Sequence, residues 1–392
     1  MPRLLPFPAL RYQRVPDLTA LVAPPYDVIS AGGRVELEAR HPANAVRLDF
    51  PRDEGHGDPY ARAAIRLAGW LGGGVLQQDA TPTLSIYRMT ATDSAGRVTV
   101  TTGILGALVL EEPGTGDILP HEQTTTKDKA DRLSLIRATR INTSPIWGLS
   151  MAQGVNQTYQ PSGEPHHRAV DDEGVIHELW IITDPEHIAT ICDRIATAPI
   201  VVADGHHRFE TALTYQHERP ADDDGAAAIL AYIVELAPDQ LEVRGIHRIV
   251  NSLSGGLVDA LGPCFDLTPA DPAEFTPAHA HELALIGALM VLTADGAWYA
   301  KPKEGAIPAE LTLDSERVRH ALEAHDPSLT YHHDAATLAR AVAEGAAGAI
   351  LLRPATVDQI RRVAETRTRM PAKTTFFWPK PRSGMVYRPL DV

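Results

Sequence analysis

The chain has 392 residues, of which 44% are hydrophobic and 22% charged, and its formal net charge is -14. That length accommodates two or three domains with sizeable cores, and the acidic balance excludes broad, backbone-driven binding of DNA or RNA, which needs a basic face. Two cysteines, Cys192 and Cys264, exclude a disulfide framework and a thiolate zinc centre.

The opening "MPRLLPFPALRYQRVPD" has no apolar stretch of signal-peptide length. No run reaches the roughly 18 apolar residues of a spanning helix. A cytoplasmic protein without a membrane partner is expected. In chain order, Pro24 and Pro25 stiffen the backbone and place Tyr26 and Asp27 on a rigid turn. Residues 57–71 read as an amphipathic helix closed by Gly72–Gly74. Strands are expected at 83–90 and 97–111, joined by "TDSAGR". Residues 119–149 begin as a polar loop, turn helical from Asp128 through Leu133, Ile136 and Ile141, and close with "NTSPIWGL". Residues 151–175 read as a loop. A strand follows at 177–183, then a helix from Pro185 to Thr197 with Asp184 as its cap. The strand Ile200–Ala203 leads into "DGHHR" and a helix to Glu218. After the acidic turn "ADDDGA" come strands at 227–236 and 243–250 and a boundary at "NSLSGG", 251–256. Alanine-rich helices and strands at 289–294, 297–301 and 348–353 complete the chain. The class is α/β (α+β), with domains at 1–250 and 251–392.

The strand, turn and helix around "ADGHHRFE" form the kind of element that holds anions. Gly205 lets a ligand oxygen approach the backbone. The first N–H groups of the helix lack intrahelical partners, and its dipole places positive charge there. His206, His207 and Arg208 add donors, and Arg suits bidentate phosphate. Asp204 can cap the helix, or Asp204 or Glu210 can tie up Arg208. Adjacent histidines make a poor metal pair, because neighbouring helical side chains diverge by about 100°. Arg208→Ala is expected to weaken binding of a phosphate-bearing ligand and spare the fold. Basic residues gather late, with nine Lys or Arg against three Asp or Glu from Arg353 to Val392. There Phe376, Phe377 and Trp378 beside Lys373, Lys380 and Arg382 suit either nucleobase stacking or a staple to the core.

"PPYDVI" at 24–29, "HEQTTTKDKADRL" at 121–133, "NTSPIWGL" at 142–149, "ADGHHRFETALTY" at 203–215 and "MPAKTTFFWPK" at 370–380 occur in one order. Together they resemble the bacterial domain-of-unknown-function family 1015, itself similar to the free serine kinases and, through them, to ParB and sulfiredoxin. The resemblance implies a ParB/sulfiredoxin-like nucleotide-binding core within 1–250, with additional N-terminal and C-terminal α/β parts. Gly205, His207 and Arg208 match the Gly, His and Arg of the sulfiredoxin Gly-Cys-His-Arg element. His206 stands where the cysteine would be, so sulfinic-acid reduction is excluded. Only Gly205 and Arg208 match the ParB Gly-Glu-Arg-Arg element, and neither a helix-turn-helix nor a basic surface is evident.

The shared remainder is nucleotide phosphate binding, and the serine kinases imply phosphoryl transfer to a small hydroxylated acceptor, serine or serine-like. Asp204, Gly205, His207, Arg208, Lys127 and Arg132 are then the expected nucleotide-binding residues, with Lys129 a further basic candidate. Asp27, His121, Glu122 and His206 are the catalytic candidates, and Glu122 is also the candidate Mg²⁺ ligand. ATP or ADP with Mg²⁺ is the expected cofactor, since a polyphosphate donor needs charge neutralisation. Neither a Walker A motif nor a protein-kinase catalytic loop is present. A ParB-like nucleotide-binding switch and a nucleotide hydrolase are the alternatives.

Overall fold

The computed structural model describes residues 1–392 except 53, 54, 56, 93–95, 121–126, 221, 222, 224, 372 and 392; for 120, 127, 128, 277, 278, 280 and 281 it describes the backbone alone. It is a mixed α/β structure of two compact units, one of Met1–Leu241 with Pro379–Val392, the other of Glu242–Trp378.

The first unit contains strands β1 (Leu4–Leu5), β2 (Leu10–Tyr12), β3 (Leu76–Gln78), β4 (Leu84–Thr92), β5 (Val98–Val109) and β6 (Ile118–Pro120). It continues with β7 (Ile141–Asn142), β8 (Ile146–Ser150), β9 (His167–Val170), β10 (Ile176–Ile182), β11 (Ile200–Asp204) and β12 (Ala228–Glu235). Its helices are α1 (Ala31–Arg40), α2 (Val46–Asp49), α3 (Pro59–Gly72), α4 (Lys127–Thr139), α5 (Pro185–Ile195) and α6 (His206–His217). The main sheet runs β6-β11-β8-β12-β5-β4-β10-β9, with β1 also on β5. Local chemistry sets the helix starts. Asp58 accepts from the Tyr60 N–H ahead of α3, and Asp184 from the Glu186 N–H ahead of α5, each followed by a proline at the first helical position. Helix α5 buries Ile188, Ile191 and Ile195; α6 buries Phe209, Ala212 and Leu213. Both meet Ile200 and Val202 of β11 and Ile229 and Ile233 of β12 in one core.

The pattern expected from the sequence holds for α3, β4, β5, β10, α5, β11 and α6. It fails where a strand lies buried on both faces and shows no alternation. All five residues of β8, which begins inside "NTSPIWGL" and ends at Ser150, are buried. The helix expected to reach Ile141 stops at Thr139, because Arg140 takes a left-handed φ of 51°. Ile141 then belongs to β7, and β9 lies inside the expected loop at 151–175.

The second unit holds β13 (Glu242–Gly245), β14 (His247–Ser252), β15 (Phe265–Ala270), β16 (Leu289–Thr293), β17 (Gly296–Pro302), β18 (Ser328–His332), β19 (Gly348–Leu351) and β20 (Thr375–Trp378). Its helices are α7 (Leu257–Leu261), α8 (Pro277–Ile286), α9 (Asp314–Leu322), α10 (Ala335–Ala343) and α11 (Val357–Glu365). Six of the strands form the antiparallel sheet β15-β17-β16-β19-β14-β18. Period-two alternation sends Val250, Val291 and Ile350 toward α7 and α9, and Ile249, Met290 and Leu351 toward α8 and α10. The expected border at 250/251 falls within β14, and the expected strand at 243–250 divides at Ile246. Strand β14 is interior to the sheet rather than an edge.

His247 on β14 is buried, and its Nδ1 accepts the Leu352 N–H at 3.1 Å. Burial, followed by the Arg248 charge, pushes the imidazole down to about 3. In the unfolded chain histidine titrates near 6.5. Between those values the unfolded chain carries the extra proton, so stability is lost as pH falls through that window. The slope is up to about 1.4 kcal/mol per pH unit. His247→Gln is expected to flatten the acid limb of a denaturant-derived stability curve relative to the parent; coincident limbs would contradict it.

The tail rejoins the first unit. Strand β21 (Arg388–Pro389) pairs with β7, and the Leu390 N–H donates to the Arg140 carbonyl at 2.8 Å. A methyl group on Gly225 would run into the Leu390 carbonyl. Gly225→Ala is therefore expected to lower the stability of this unit by about 1–3 kcal/mol, read by denaturant unfolding. No change would mean that the tail is not docked there.

Candidate functional site

Strand β11 is buried through Ala203 and emerges at Asp204. Gly205 follows at φ 90°, a conformation that an L side chain rarely adopts. A Cβ at this position would also come within 3.0 Å of the Arg208 guanidinium. Helix α6 then opens with His206, His207 and Arg208. Arg208 folds back under the turn. Its Nη2 donates to Asp204 Oδ2 at 2.7 Å, and its Nη1 donates to the Pro145 carbonyl. Lys380, set between Pro379 and Pro381, donates to the other Asp204 oxygen. The three side chains are 9–15% exposed.

Burial alone would raise the Asp204 carboxyl, but Lys380 and Arg208 outweigh it and hold the group well below the usual carboxylate range. Burial likewise opposes the charge on Arg208 and Lys380, and Asp204 followed by Asp27 outweighs it on both. Arg208 and Lys380 thus balance Asp204 and the more distant Asp27 at the amino end of α6, where the helix dipole adds partial positive charge.

Asp27 thus belongs to the same electrostatic neighbourhood as Asp204, Arg208 and Lys380. It is exposed, on a single helical turn at Tyr26–Val28. That turn is braced by Arg132 of α4, whose guanidinium lies 3.9 Å from the centre of the Tyr26 ring. Arg132 is itself buried, paired with Asp131 and donating to the Asp49 carbonyl at 2.5 Å. Its visible work is to hold the turn that carries Asp27. A cavity of about 40 Å³ lies among Arg132, Thr143, Arg208 and Thr211. The Thr211 hydroxyl is buried there without a hydrogen-bond partner among the described residues. The space suits a water molecule and is far too small for a nucleotide. A nucleotide would have to approach from the half-buried side, where His206 and His207 stand.

His121 and Glu122 lie outside the described residues. The strand leading to them, β6, runs parallel to β11 with Pro120 level with Val202, so the chain leaves the sheet at the Asp204 end. Lys127 is the first residue of α4, and its side chain is outside the described ones. Lys129 pairs with Glu210, joining α4 to α6, so Asp204 and not Glu210 is the acid that ties up Arg208. Asn44 is wholly buried and bonded to the Ala20 and Val22 carbonyls, while Arg47 holds Glu38; both are structural.

Two residues escaped the sequence reading as partners of the site. Lys380 was considered only with the aromatic run beside it. Asp49 carried no motif; it is fully buried and accepts from Thr143, Ser144 and Ser383, tying the segment before β8 to the tail. Of the aromatic run, Phe376 stacks on His333, and Trp378 lies 3.6 Å from the Arg244 guanidinium. This is the staple arrangement, within the second unit.

The family model described as "Protein of unknown function (DUF1015)" matches residues 4–322. The chain belongs to this family. No curated protein matches the DUF1015 chain. Among solved structures, one similar chain is a free serine kinase in complex with AMP, at 14% identity and a TM-score of 0.37, covering 74% of this chain and 89% of that one. Another is SbnI with a C-terminal truncation from Staphylococcus aureus, at 13% and 0.41, covering 71% and 85%. A third is a conserved hypothetical protein from Pyrococcus furiosus, at 12% and 0.36, covering 68% and 88%.

Mg²⁺ can be tested against the donor set. Among the described residues of the DUF1015 chain no three His, Cys, Asp or Glu side chains cluster as metal ligands. Asp204 does not fit such a role, since each of its oxygens already holds a cation. The candidate ligand Glu122 is outside the described residues. No helix among the described residues is long and apolar enough to cross a membrane.

Proposed function

We propose that this DUF1015 chain is a nucleotide-dependent kinase. It transfers a phosphoryl group to a small hydroxylated metabolite, serine or a serine-like amino acid, on a ParB/sulfiredoxin-like core. The observation that carries this reading is Asp204 locked between Arg208 and Lys380 at the turn into α6, with Asp27 near enough to act on both cations. Phosphoryl transfer needs positioning and charge stabilisation more than covalent chemistry.

In this reading the first N–H groups of α6, with His206 and His207, receive the nucleotide phosphates. Asp204 fixes Arg208 and Lys380, which supply the positive field. Asp27 accepts the proton of the acceptor hydroxyl as its oxygen attacks the terminal phosphorus. The bond from that phosphorus to the bridging oxygen breaks, and the shortened nucleotide departs. Bound Mg²⁺ would supply further charge neutralisation on the phosphates.

The test is incubation with Mg-ATP or Mg-ADP and a panel of amino acids including serine, with mass spectrometry of the products. A phosphorylated acceptor, formed only when that acceptor is present, is expected. Binding without turnover would favour a regulatory switch. Phosphate released without any acceptor would favour a hydrolase.

A further inference from the structure

We propose that the second unit carries its own binding site for a small phosphate monoester. A cavity of about 400 Å³ opens between the starts of α9 and α11 and the end of β19. That volume is within the roughly 300–1,000 Å³ of small-molecule sites. Its charged lining consists, among the described residues, of Arg317, Arg353, Arg362 and Asp314.

The acid is already committed. Asp314 is buried, and it receives the Arg353 Nε at 2.7 Å, Nη2 at 2.5 Å and backbone N–H at 3.1 Å. It also lies 3.6 Å from Arg317. The pairing occupies the Nε and Nη2 edge of Arg353 and fixes the guanidinium plane before any ligand arrives, leaving Nη1 as its donor and reducing the entropy lost on binding. Arg362 stands exposed on α11, with no carboxylate partner among the described residues. Three guanidinium groups against one carboxylate leave two positive charges. The amino ends of α9 and α11 face the same space; Glu316 beside Asp314 and Asp358 on α11 offset their helix-end charge, so the excess is that of the guanidinium groups in the lining. A phosphate monoester carries about -1.5 to -2 at neutral pH and matches that excess, whereas a single carboxylate neutralises half of it. At the cavity wall Thr374 donates to the Pro371 carbonyl at 2.7 Å and Ser315 donates to Thr374 at 3.0 Å, so the two hydroxyl oxygens are left to accept from a hydroxyl of the ligand.

The site is independent of the α6 turn, and its test separates the two. Glycerol 3-phosphate is titrated calorimetrically into the full chain, into Arg362→Gln and into Arg317→Gln, with malonate and glycerol in parallel. Saturable binding is expected, weakened about tenfold by either substitution. Arg362→Gln should leave nucleotide affinity and thermal midpoint unchanged. No saturable binding at millimolar ligand, or full affinity in both variants, would overturn the site. Tighter binding of malonate than of glycerol 3-phosphate would overturn its assignment to phosphate.

Discussion

Arg208→Ala is expected to cost the first unit about 3–5 kcal/mol, because it breaks a largely buried pair and leaves the Pro145 carbonyl without its donor. The corresponding fall in melting temperature is roughly 6–20 °C. The sequence alone made Arg208 a ligand-facing donor whose loss spares the fold. Its position under Gly205, with its two hydrogen bonds turned inward, reverses that expectation. Lysine is no substitute, since one ammonium cannot span the Asp204 carboxylate and the Pro145 carbonyl in the fork geometry of arginine. Arg208→Lys is therefore expected to recover little of the loss. Calorimetry decides it: an unshifted transition in Arg208→Ala would mean that the cluster does not anchor the turn. Nucleotide binding should weaken as well, measured well below the lowered transition so that unfolding does not contribute.

Asp27→Asn is expected to reduce acceptor phosphorylation by about 10²–10⁴-fold. Asp27 is exposed on a short turn but supports the charges on Arg208 and Lys380, so stability should fall by no more than about 1 kcal/mol. The sign of the binding effect is diagnostic. Asp27 acts on Arg208 and Lys380, and removing its charge leaves the neighbourhood more positive toward an anionic nucleotide. Nucleotide affinity should therefore hold or rise while kcat falls. An equal loss in both would make Asp27 a nucleotide-positioning residue, and unchanged turnover would remove it from the mechanism.

The readable parts of the site were those whose chemistry is local. The strand-turn-helix at Ile200–His217 announces itself by an apolar run, Asp-Gly and a helical period, and the structure contains each of them in place. Pro24–Pro25 likewise marks the turn that presents Asp27. The unreadable parts depend on contacts made far along the chain. Lys380 meets Asp204 across 176 residues, and nothing near either one signals the partner. Asp49 ends a four-residue helix in "AVRLDFP", where a carboxylate looks like surface; only the packing of Thr143, Ser144 and Ser383 around it shows otherwise. Helix α1 is not legible because "AGGRVELEAR" carries two glycines, poor helix formers, in its first turn. The Ser30 cap, accepting from the Gly33 N–H, starts it nonetheless.

The most direct test of the account is the affinity of nucleotide for His207→Ala. His207 is half-buried at the second position of α6, and the hydrogen bonds that join Asp204 to Arg208 and Lys380 run between those three side chains. Calorimetric titration of ADP or ATP, carried out below the melting transition of the variant, is expected to show binding weakened about tenfold, the scale of one hydrogen bond to a charged group. Affinity equal to that of the parent would contradict the placement of the nucleotide phosphates at the start of α6.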